Sequence, residues 1–262
     1  MLQVLKGASR VRIPPSPQGA ADIRGVSATD LAWAAGMYDG EGSASTYLPK
    51  LRRSRVRQMA VYQGGDDGIP SLLVRFHSVV GGIGLIHGPS RGRLYQWHSR
   101  RHVVVEEVSE LLWPWLSEAK RAQLRRAASA VHRMTPAAAD ALWTSDELAA
   151  WAAGFFDGEG TIGAYGDPRR PHVSMSLPQA SDAGVPEQLE RFRLAVRAGA
   201  IYGPRMVPSP WSKLPQYRWQ LARLDEIERV VQLLRPYADV VKLGQMDASL
   251  AHVRQIREQR AG

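Results

Sequence analysis

The sequence predicts an α+β protein in which a single chain carries two copies of one α-β-β-α-β-β-α unit. Three observations lead to this fold. Segments of the first half return in the same order in the second half, each copy opens with a helix of small and aromatic residues, and both helices end in Asp-Gly-Glu-Gly. Such ordered repetition indicates a fused duplication. The matching segments are residues 31–42 with 150–160, 84–89 with 199–204, 95–97 with 217–219, and 112–115 with 234–237.

The duplication divides the chain into two repeats, residues 28–134 and 145–262, joined by a linker at residues 135–144 that is rich in Pro and Ala. Residues 1–27 are basic and contain several prolines. Proline removes a backbone donor and fixes φ, so we expect this extension to be disordered, without regular elements.

The motif helices are expected to begin at the N-cap pairs Thr29-Asp30 and Ser145-Asp146. They are expected to end where the glycines of Asp-Gly-Glu-Gly permit the positive φ angle of a C-cap. Repetition of an aromatic residue at a strand position predicts two core residues, Trp97 and Trp219. The remaining predicted elements are strands at 43–48, 55–62, 95–98, 161–165, 172–177 and 216–221, and helices at 70–80, 101–112, 185–198 and 225–234.

Charge and composition restrict the function. The 34 Lys and Arg exceed the 25 Asp and Glu, which gives a net charge of +9 and favours nucleic acid, and next an anionic membrane surface, as partner. The absence of cysteine excludes disulfides, Cys-type zinc sites and Cys nucleophiles. No apolar run approaches the ~18 residues of a membrane span, and the N-terminus lacks a signal-peptide layout. We therefore expect an intracellular protein, cytoplasmic and associated with the nucleoid.

The two motif helices predict paired carboxylates. Each contains Ala-Ala-Gly, ending at Gly36 and Gly154, and a face of such small residues lets two helices approach closely. If the helices pack on each other, Glu41 and Glu159 face each other at their C-terminal ends. Two adjacent carboxylates share a proton or bind a cation. Mg²⁺ is the natural ion because it prefers oxygen ligands and is used at phosphate sites.

These two segments resemble the signature of the LAGLIDADG homing endonucleases, and the resemblance extends from residue 28 to near residue 250. It implies motif helices packed at a central interface with saddle-shaped antiparallel sheets. In that family the second acid binds the divalent metal, which implies Glu41 and Glu159, and the preceding glycine contributes its carbonyl, which implies Gly40 and Gly158. Mg²⁺ is the implied ion, and Mn²⁺ can substitute for it. The first acids are expected to be structural, namely Asp39 and Asp157.

The resemblance also implies accessory catalytic residues. Family members place a polar residue at the end of the second strand, near the metal-bound water, where this chain has Gln63 and Gln179. They place a lysine a few residues beyond a Pro-aromatic step, where this chain has Lys120 and Lys242. Pro178 departs from the pattern because it removes a strand donor beside Gln179.

Alternating arginines indicate a nucleic-acid surface. Arg53, Arg55 and Arg57 would share one face of a strand, and such a strand can read guanine edges or pair with phosphates in the major groove. The second copy offers less ordered candidates, namely Arg169, Arg170, Arg205, Lys213 and Arg218.

The leading hypothesis is a monomeric, site-specific endonuclease that cuts both strands of double-stranded DNA at a long asymmetric site. Each copy would supply one glutamate and help to cut one strand. Two alternatives stay open, a DNA-binding regulator without catalysis and an RNA maturase that binds intron RNA. Serine-type and His-Glu-x-x-His metal chemistry have no supporting motif in the sequence.

Overall fold

The computed structural model describes residues 11–13, 25–47, 56–90, 92–127, 143–167, 171–206 and 214–261. They form two α+β repeats of the predicted class. The first repeat contains α1 (Ala28–Glu41), β2 (Gly42–Tyr47), β3 (Val56–Gly64), α2 (Ser71–Val79), β4 (Leu85–Ser90), β5 (Leu94–Ser99), α3 (His102–Leu112) and α4 (Glu118–Ala127), preceded by β1 (Val11–Ile13). The second contains α5 (Ser145–Glu159), β6 (Thr161–Tyr165), β7 (His172–Ala180), α6 (Glu187–Val196), β8 (Ala200–Arg205), β9 (Gln216–Leu221), α7 (Leu224–Leu234) and α8 (Val240–Ala261).

The two sheets have the same antiparallel topology, β2-β3-β5-β4 in the first repeat and β6-β7-β9-β8 in the second, with β1 added beside β4. Helices cover one face of each sheet. Trp97 and Trp219 are fully buried there, as predicted for core residues. Their indole N–H groups donate to the carbonyls of Ile83 and Ala198, each at 2.9 Å, which satisfies the polar edge of each buried ring.

The expectation that residues 1–27 form no regular element is wrong at Val11–Ile13. This strand pairs antiparallel with β4, with Val11 opposite Gly88 and Ile13 opposite Ile86. A residue before proline, here Pro14, favours extended backbone, and the free edge of β4 offers main-chain groups to any extended segment. The pairing therefore needs no particular side chains.

The motif helices α1 and α5 cross at the centre of the molecule. A Cβ at Gly36 would lie 2.0 Å from the carbonyl oxygen of Trp151, and a Cβ at Gly154 would lie 2.0 Å from that of Trp33. Only hydrogen fits at either position, so the backbones are in direct contact. This arrangement confirms the predicted helix pairing.

Both motif helices begin earlier than predicted. The hydroxyl of Ser27 accepts from the backbone N–H of Asp30 at 3.0 Å. Thr144 is the N-cap of α5 and forms a capping box with Glu147, in which each side chain accepts from the other residue's backbone N–H. Thr144 therefore belongs to the second repeat and not to the linker, whose residues 135–142 lie outside the described part of the chain.

The glycines at the C-terminal ends of the motif helices have a different role from the one predicted. Gly42 and Gly160 have φ angles of −77° and −74°, which any residue adopts. They are required for space, because a Cβ would lie 2.3 Å from the ring of Tyr38 and 2.4 Å from that of Phe156. The chain can therefore turn directly from helix into strand beneath an aromatic ring.

Each repeat contains one helix more than the predicted pattern. After α3 and α7, a turn containing Pro114 or Pro236 interrupts the helix, because proline cannot donate within it. A further helix follows, α4 in the first repeat and α8 in the second. No described helix has the length and apolar character of a membrane span.

Substitution of Gly36 by alanine should strongly destabilise the protein. The added methyl group would overlap the Trp151 carbonyl, and we expect the free energy of unfolding to fall by about 3 kcal/mol or more, the upper range for an overpacked core. The matched control is Gly244→Ala in α8, where a Cβ meets nothing within 4 Å. There alanine should raise stability by about 0.5–1 kcal/mol. Urea unfolding of both variants measures the difference, and equal effects would contradict the contact.

Candidate active site

Glu41 and Glu159 are the last residues of α1 and α5. Each side chain packs against the glycine that precedes the other glutamate in the opposite helix. A Cβ at Gly40 would be 2.8 Å from Cγ of Glu159, and a Cβ at Gly158 would be 3.0 Å from Cγ of Glu41. The two carboxyl groups therefore meet across the pseudo-twofold axis. The glycines that precede them are necessary because any larger residue would displace the opposite glutamate.

The environment of this pair favours a proton or a cation. The pKa of Glu41 is raised to about 8, first by burial and then by the charge of Glu159, against the opposing effect of Lys120. Burial also raises the pKa of Glu159. Like charges in a partly buried site are costly unless one is neutralised. A bound cation would neutralise both.

The donor set fits a hard divalent ion. Two carboxylates meet here beside the carbonyls of Gly40 and Gly158, which lie in the last turns of α1 and α5, where a helix has no further N–H groups to offer its carbonyls. Within the described ranges no group of three or more His, Asp or Glu side chains could hold a metal. Mg²⁺ commonly binds through one or two carboxylates, with water and phosphate completing its shell. The residues present therefore suit Mg²⁺ better than an ion that needs an all-protein cage.

The predicted glutamines form hydrogen bonds with the glutamates of their own repeats. Nε2 of Gln63, near the end of β3, donates to Oε1 of Glu41 at 3.0 Å. The side chain of Gln179 hydrogen-bonds to Glu159 and lowers its pKa. Pro178 does not disturb this arrangement, because β6 pairs with β7 only as far as Ser176. On the side of β7 that faces β6, no neighbouring strand therefore needs the backbone N–H that Pro178 lacks.

The predicted lysines flank the glutamates. The ammonium group of Lys120 donates to the carbonyl of Gly42, and Nζ of Lys242 donates to that of Gly160 at 2.6 Å. Burial lowers the pKa of both lysines, while nearby carboxylates raise it. For Lys120 those carboxylates include both glutamates of the pair. Two amines are thus held close to the paired carboxylates.

The first acids of the motifs are buried and bind the opposite helix. Nε1 of Trp33 donates to Oδ2 of Asp157 at 2.8 Å, and Nε1 of Trp151 donates to Oδ2 of Asp39 at 3.0 Å. Burial raises the pKa of Asp157 to about 7, and that of Asp39 is raised by the same cause. These contacts agree with the structural role expected for both aspartates.

Sequence reasoning missed the residues that complete these contacts. The backbone N–H and hydroxyl of Ser117 donate to Asp39, and the N–H of Asp239 donates to Asp157 at 2.9 Å. A signal was present, since Ser117 and Asp239 each lie three residues before a lysine of the repeated pattern. That spacing does not predict that Ser117 and Asp239 are buried against the opposite repeat.

The arginine candidates are distributed over both sheets. Arg218 and Arg205 are exposed, and Arg218 lies on the outer face of its sheet, since its neighbours Tyr217 and Trp219 are buried. Arg57, contrary to expectation, shares its face of β3 with the buried residues Met59 and Val61, because these core residues set the register. The remaining candidates lie outside the described residues, namely Arg53, Arg55, Arg169, Arg170 and Lys213.

Without divalent metal, stability should fall as pH rises from about 4.5 to about 8. The Glu41 carboxyl retains its proton up to about pH 8 in the folded chain, against 4.5 for its ordinary pKa. The folded state therefore binds more protons in this window, and rising pH favours unfolding by up to about 1.4 kcal/mol per pH unit for one group.

Urea unfolding across this window, in EDTA, tests the expectation. Glu41→Gln should reduce the slope of stability against pH, whereas the exposed control Glu110→Gln should preserve it. An unchanged slope in Glu41→Gln would show that the glutamate is not the group that titrates.

Comparisons with known proteins give matches among solved structures. Neither protein-family profiles nor curated protein sequences match this chain. The LAGLIDADG meganuclease I-AabMI bound to uncleaved DNA has a TM-score of 0.65 at 14% identity, over 87% of this chain and 92% of its own. The LAGLIDADG homing endonuclease I-GzeII in complex with its DNA target has a TM-score of 0.58 at 13% identity, over 88% and 91%. I-SmaMI, bound to uncleaved DNA with calcium ions, has a TM-score of 0.54 at 14% identity, over 87% and 97%. This chain therefore has the two-repeat fold of the single-chain LAGLIDADG homing endonucleases.

Proposed function

We propose that this chain is a site-specific endonuclease that hydrolyses both strands of double-stranded DNA with a divalent metal, Mg²⁺ or Mn²⁺. The observation that carries the proposal is the meeting of Glu41 and Glu159, one from each repeat, at the contact of α1 and α5. The DNA complexes of structures with this fold support the choice of substrate. The complex with calcium ions supports the use of a divalent ion.

The paired glutamates and the carbonyls of Gly40 and Gly158 would hold the metal. When bound, a divalent ion at such a site lowers the pKa of water and stabilises charge on the phosphate. Gln63 and Gln179 fix the orientation of the two carboxylates by hydrogen bonding to them. The role of these glutamines is thus to position the ligands.

Lys120 and Lys242 supply positive charge beside the glutamates. Each is anchored through a carbonyl just beyond its own motif helix, at Gly42 or Gly160. An amine held in a partly buried site acts more strongly on developing negative charge than one in water. Burial lowers the pKa of both amines, which favours the release of a proton from each.

The outer faces of the sheets would contact the DNA, and they differ between repeats. Arg can bind guanine bidentately, whereas Gln pairs with adenine, so the two halves should prefer different base pairs. The target is therefore long and asymmetric. The difference between the two faces is seen in equivalent rows of cross-strand partners, which are Tyr62, Gln96 and His87 in the first sheet and Pro178, Arg218 and Tyr202 in the second.

One chain contains both halves of the site, which supports a monomer. A DNA substrate agrees with a cytoplasmic, nucleoid-associated location.

Cleavage of a plasmid that carries the gene's own uninterrupted insertion locus tests the proposal. We expect a double-strand break with Mg²⁺ and none with EDTA. Glu41→Gln and Glu159→Gln should each lower the rate by about 10²-fold or more, because each removes a metal ligand. Glu110→Gln, on the exposed side of α3, is the matched control and should cut normally.

Tight binding that requires no metal and produces no cut, at this locus or in any DNA tested, would contradict the proposal. On DNA it would favour a catalytically inactive regulator, and on intron RNA it would favour a maturase.

Arg218 should contribute to DNA affinity more than an arginine on the helical side. Arg218→Gln removes a charge from the outer face of the second sheet and should weaken binding, while reducing the dependence of log K on log salt by about 0.9 if the contact is to phosphate. Arg257→Gln, exposed on α8, is the control and should change neither quantity. Fluorescence anisotropy at several salt concentrations measures both, and equal behaviour of the two variants would exclude the outer face as the contact surface.

A further inference from the structure

The helix that carries Lys120 begins at residues held by the opposite repeat. A guanidinium nitrogen of Arg191 donates to the carbonyl of Trp115 at 2.8 Å, and Nε2 of Gln188 donates to the hydroxyl of Ser117 at 3.0 Å. The backbone N–H of the next residue, Glu118, donates to a carboxylate oxygen of Glu187 at 2.7 Å. All three partners come from the first two turns of α6, in the second repeat.

The helix that carries Lys242 is held in the same way by α2 of the first repeat. A guanidinium nitrogen of Arg75 donates to the carbonyl of Tyr237 at 2.5 Å, and the hydroxyl of Ser71 donates to Oδ1 of Asp239 at 2.8 Å. Arg75 and Arg191 are equivalent, since each lies five residues after the proline that begins its helix. The arrangement is therefore present on both sides of the pseudo-twofold axis.

Indole rings fix both arginines. The guanidinium carbon of Arg75 lies 3.8 Å from the ring centroid of Trp33, and that of Arg191 lies 4.6 Å from Trp143 and 5.0 Å from Trp151. A planar guanidinium stacked on an aromatic ring has a defined direction for its hydrogen bonds. Each arginine can therefore hold one particular carbonyl in place.

In each repeat, the held residue that is nearest to the lysine lies no more than three positions before it in the chain. The backbone N–H of Lys120 donates to the hydroxyl of Ser117 at 3.3 Å, so Ser117 fixes the start of the helix. Asp239 accepts from the N–H of Val241 at 3.0 Å and has the same place before Lys242. Where a helix begins determines where a side chain in its first turn can reach.

We propose that Arg191 and Gln188 are positioning residues for Lys120, and that Arg75 and Ser71 are positioning residues for Lys242. Each lysine is then anchored just beyond the motif helix of its own repeat, at the carbonyl of Gly42 or Gly160, by a helix of the other repeat. The part of this inference that concerns cleavage rests on the proposed endonuclease function. The part that concerns the placement of the lysines does not.

Chemical labelling of the free protein tests the placement without DNA or metal. In the wild type both amines are partly buried and bonded to a carbonyl, so acetic anhydride should label them slowly, as followed by mass spectrometry. Arg191→Met should raise the labelling rate of Lys120 by about tenfold, the effect of losing a hydrogen bond from a charged group, and leave Lys242 protected. Arg75→Met should do the reverse.

Two further variants complete the labelling experiment. Arg193→Met, on the exposed side of α6, should change neither lysine. Gln188→Leu introduces the residue that the first repeat has at the equivalent position, Leu72, and exposes Lys120 even if Arg191→Met does not fold. Equal exposure of both lysines in a variant that remains folded by thermal unfolding, or exposure of neither, would overturn the inference.

Strand-specific cleavage tests the consequence for catalysis. Arg191→Met should slow the same DNA strand as Lys120→Met, although the two residues belong to different repeats. The double variant should be no slower than Lys120→Met, because Arg191 acts through that lysine. Additive losses, or slowing of the strand that depends on Lys242, would contradict the inference. A wild type that cuts no DNA would contradict the proposed function and leave the labelling result unaffected.

Discussion

Gly36 and Gly154 bring the backbones of α1 and α5 into contact, and the geometry of the candidate site depends on that contact. Each motif glutamate lies five residues further along its helix, about 7.5 Å at 1.5 Å per residue. Side chains at the crossing would set a larger distance between the helix axes and separate the glutamates. The smallest residue at the crossing is therefore a condition for two carboxylates to share one site.

Close packing at the crossing buries two further carboxylates, and their partners join the repeats. An unpaired buried charge is costly, so Asp39 and Asp157 require donors. Each accepts from an indole of the opposite motif helix and from a backbone N–H of its own repeat. One carboxylate thus connects a motif helix, the facing motif helix and the start of a lysine-bearing helix. Stability and site geometry depend on the same hydrogen bonds.

The two halves have diverged around this common frame. Arg191 contacts two indoles, those of Trp143 and Trp151, whereas Arg75 contacts that of Trp33. Asp39 accepts from a serine hydroxyl, while Asp157 lies near a second acid, Asp239, whose charge raises its pKa. A duplication in one chain permits this divergence, because each half can change its own partners while the crossing is preserved.

The sequence by itself determined the duplication, the pairing of the motif helices and the acids at their ends, because small residues at helical spacing and repeated motifs are local properties. It did not determine the face of β3 on which Arg57 lies, since alternation leaves two choices until Met59 and Val61 enter the core. Strand β1 could not be predicted from the sequence either, because it forms only where the free edge of β4 is available in the fold. Contacts such as Trp33 with Asp157 join residues 124 positions apart, so only the tertiary structure decided which partner each buried group received.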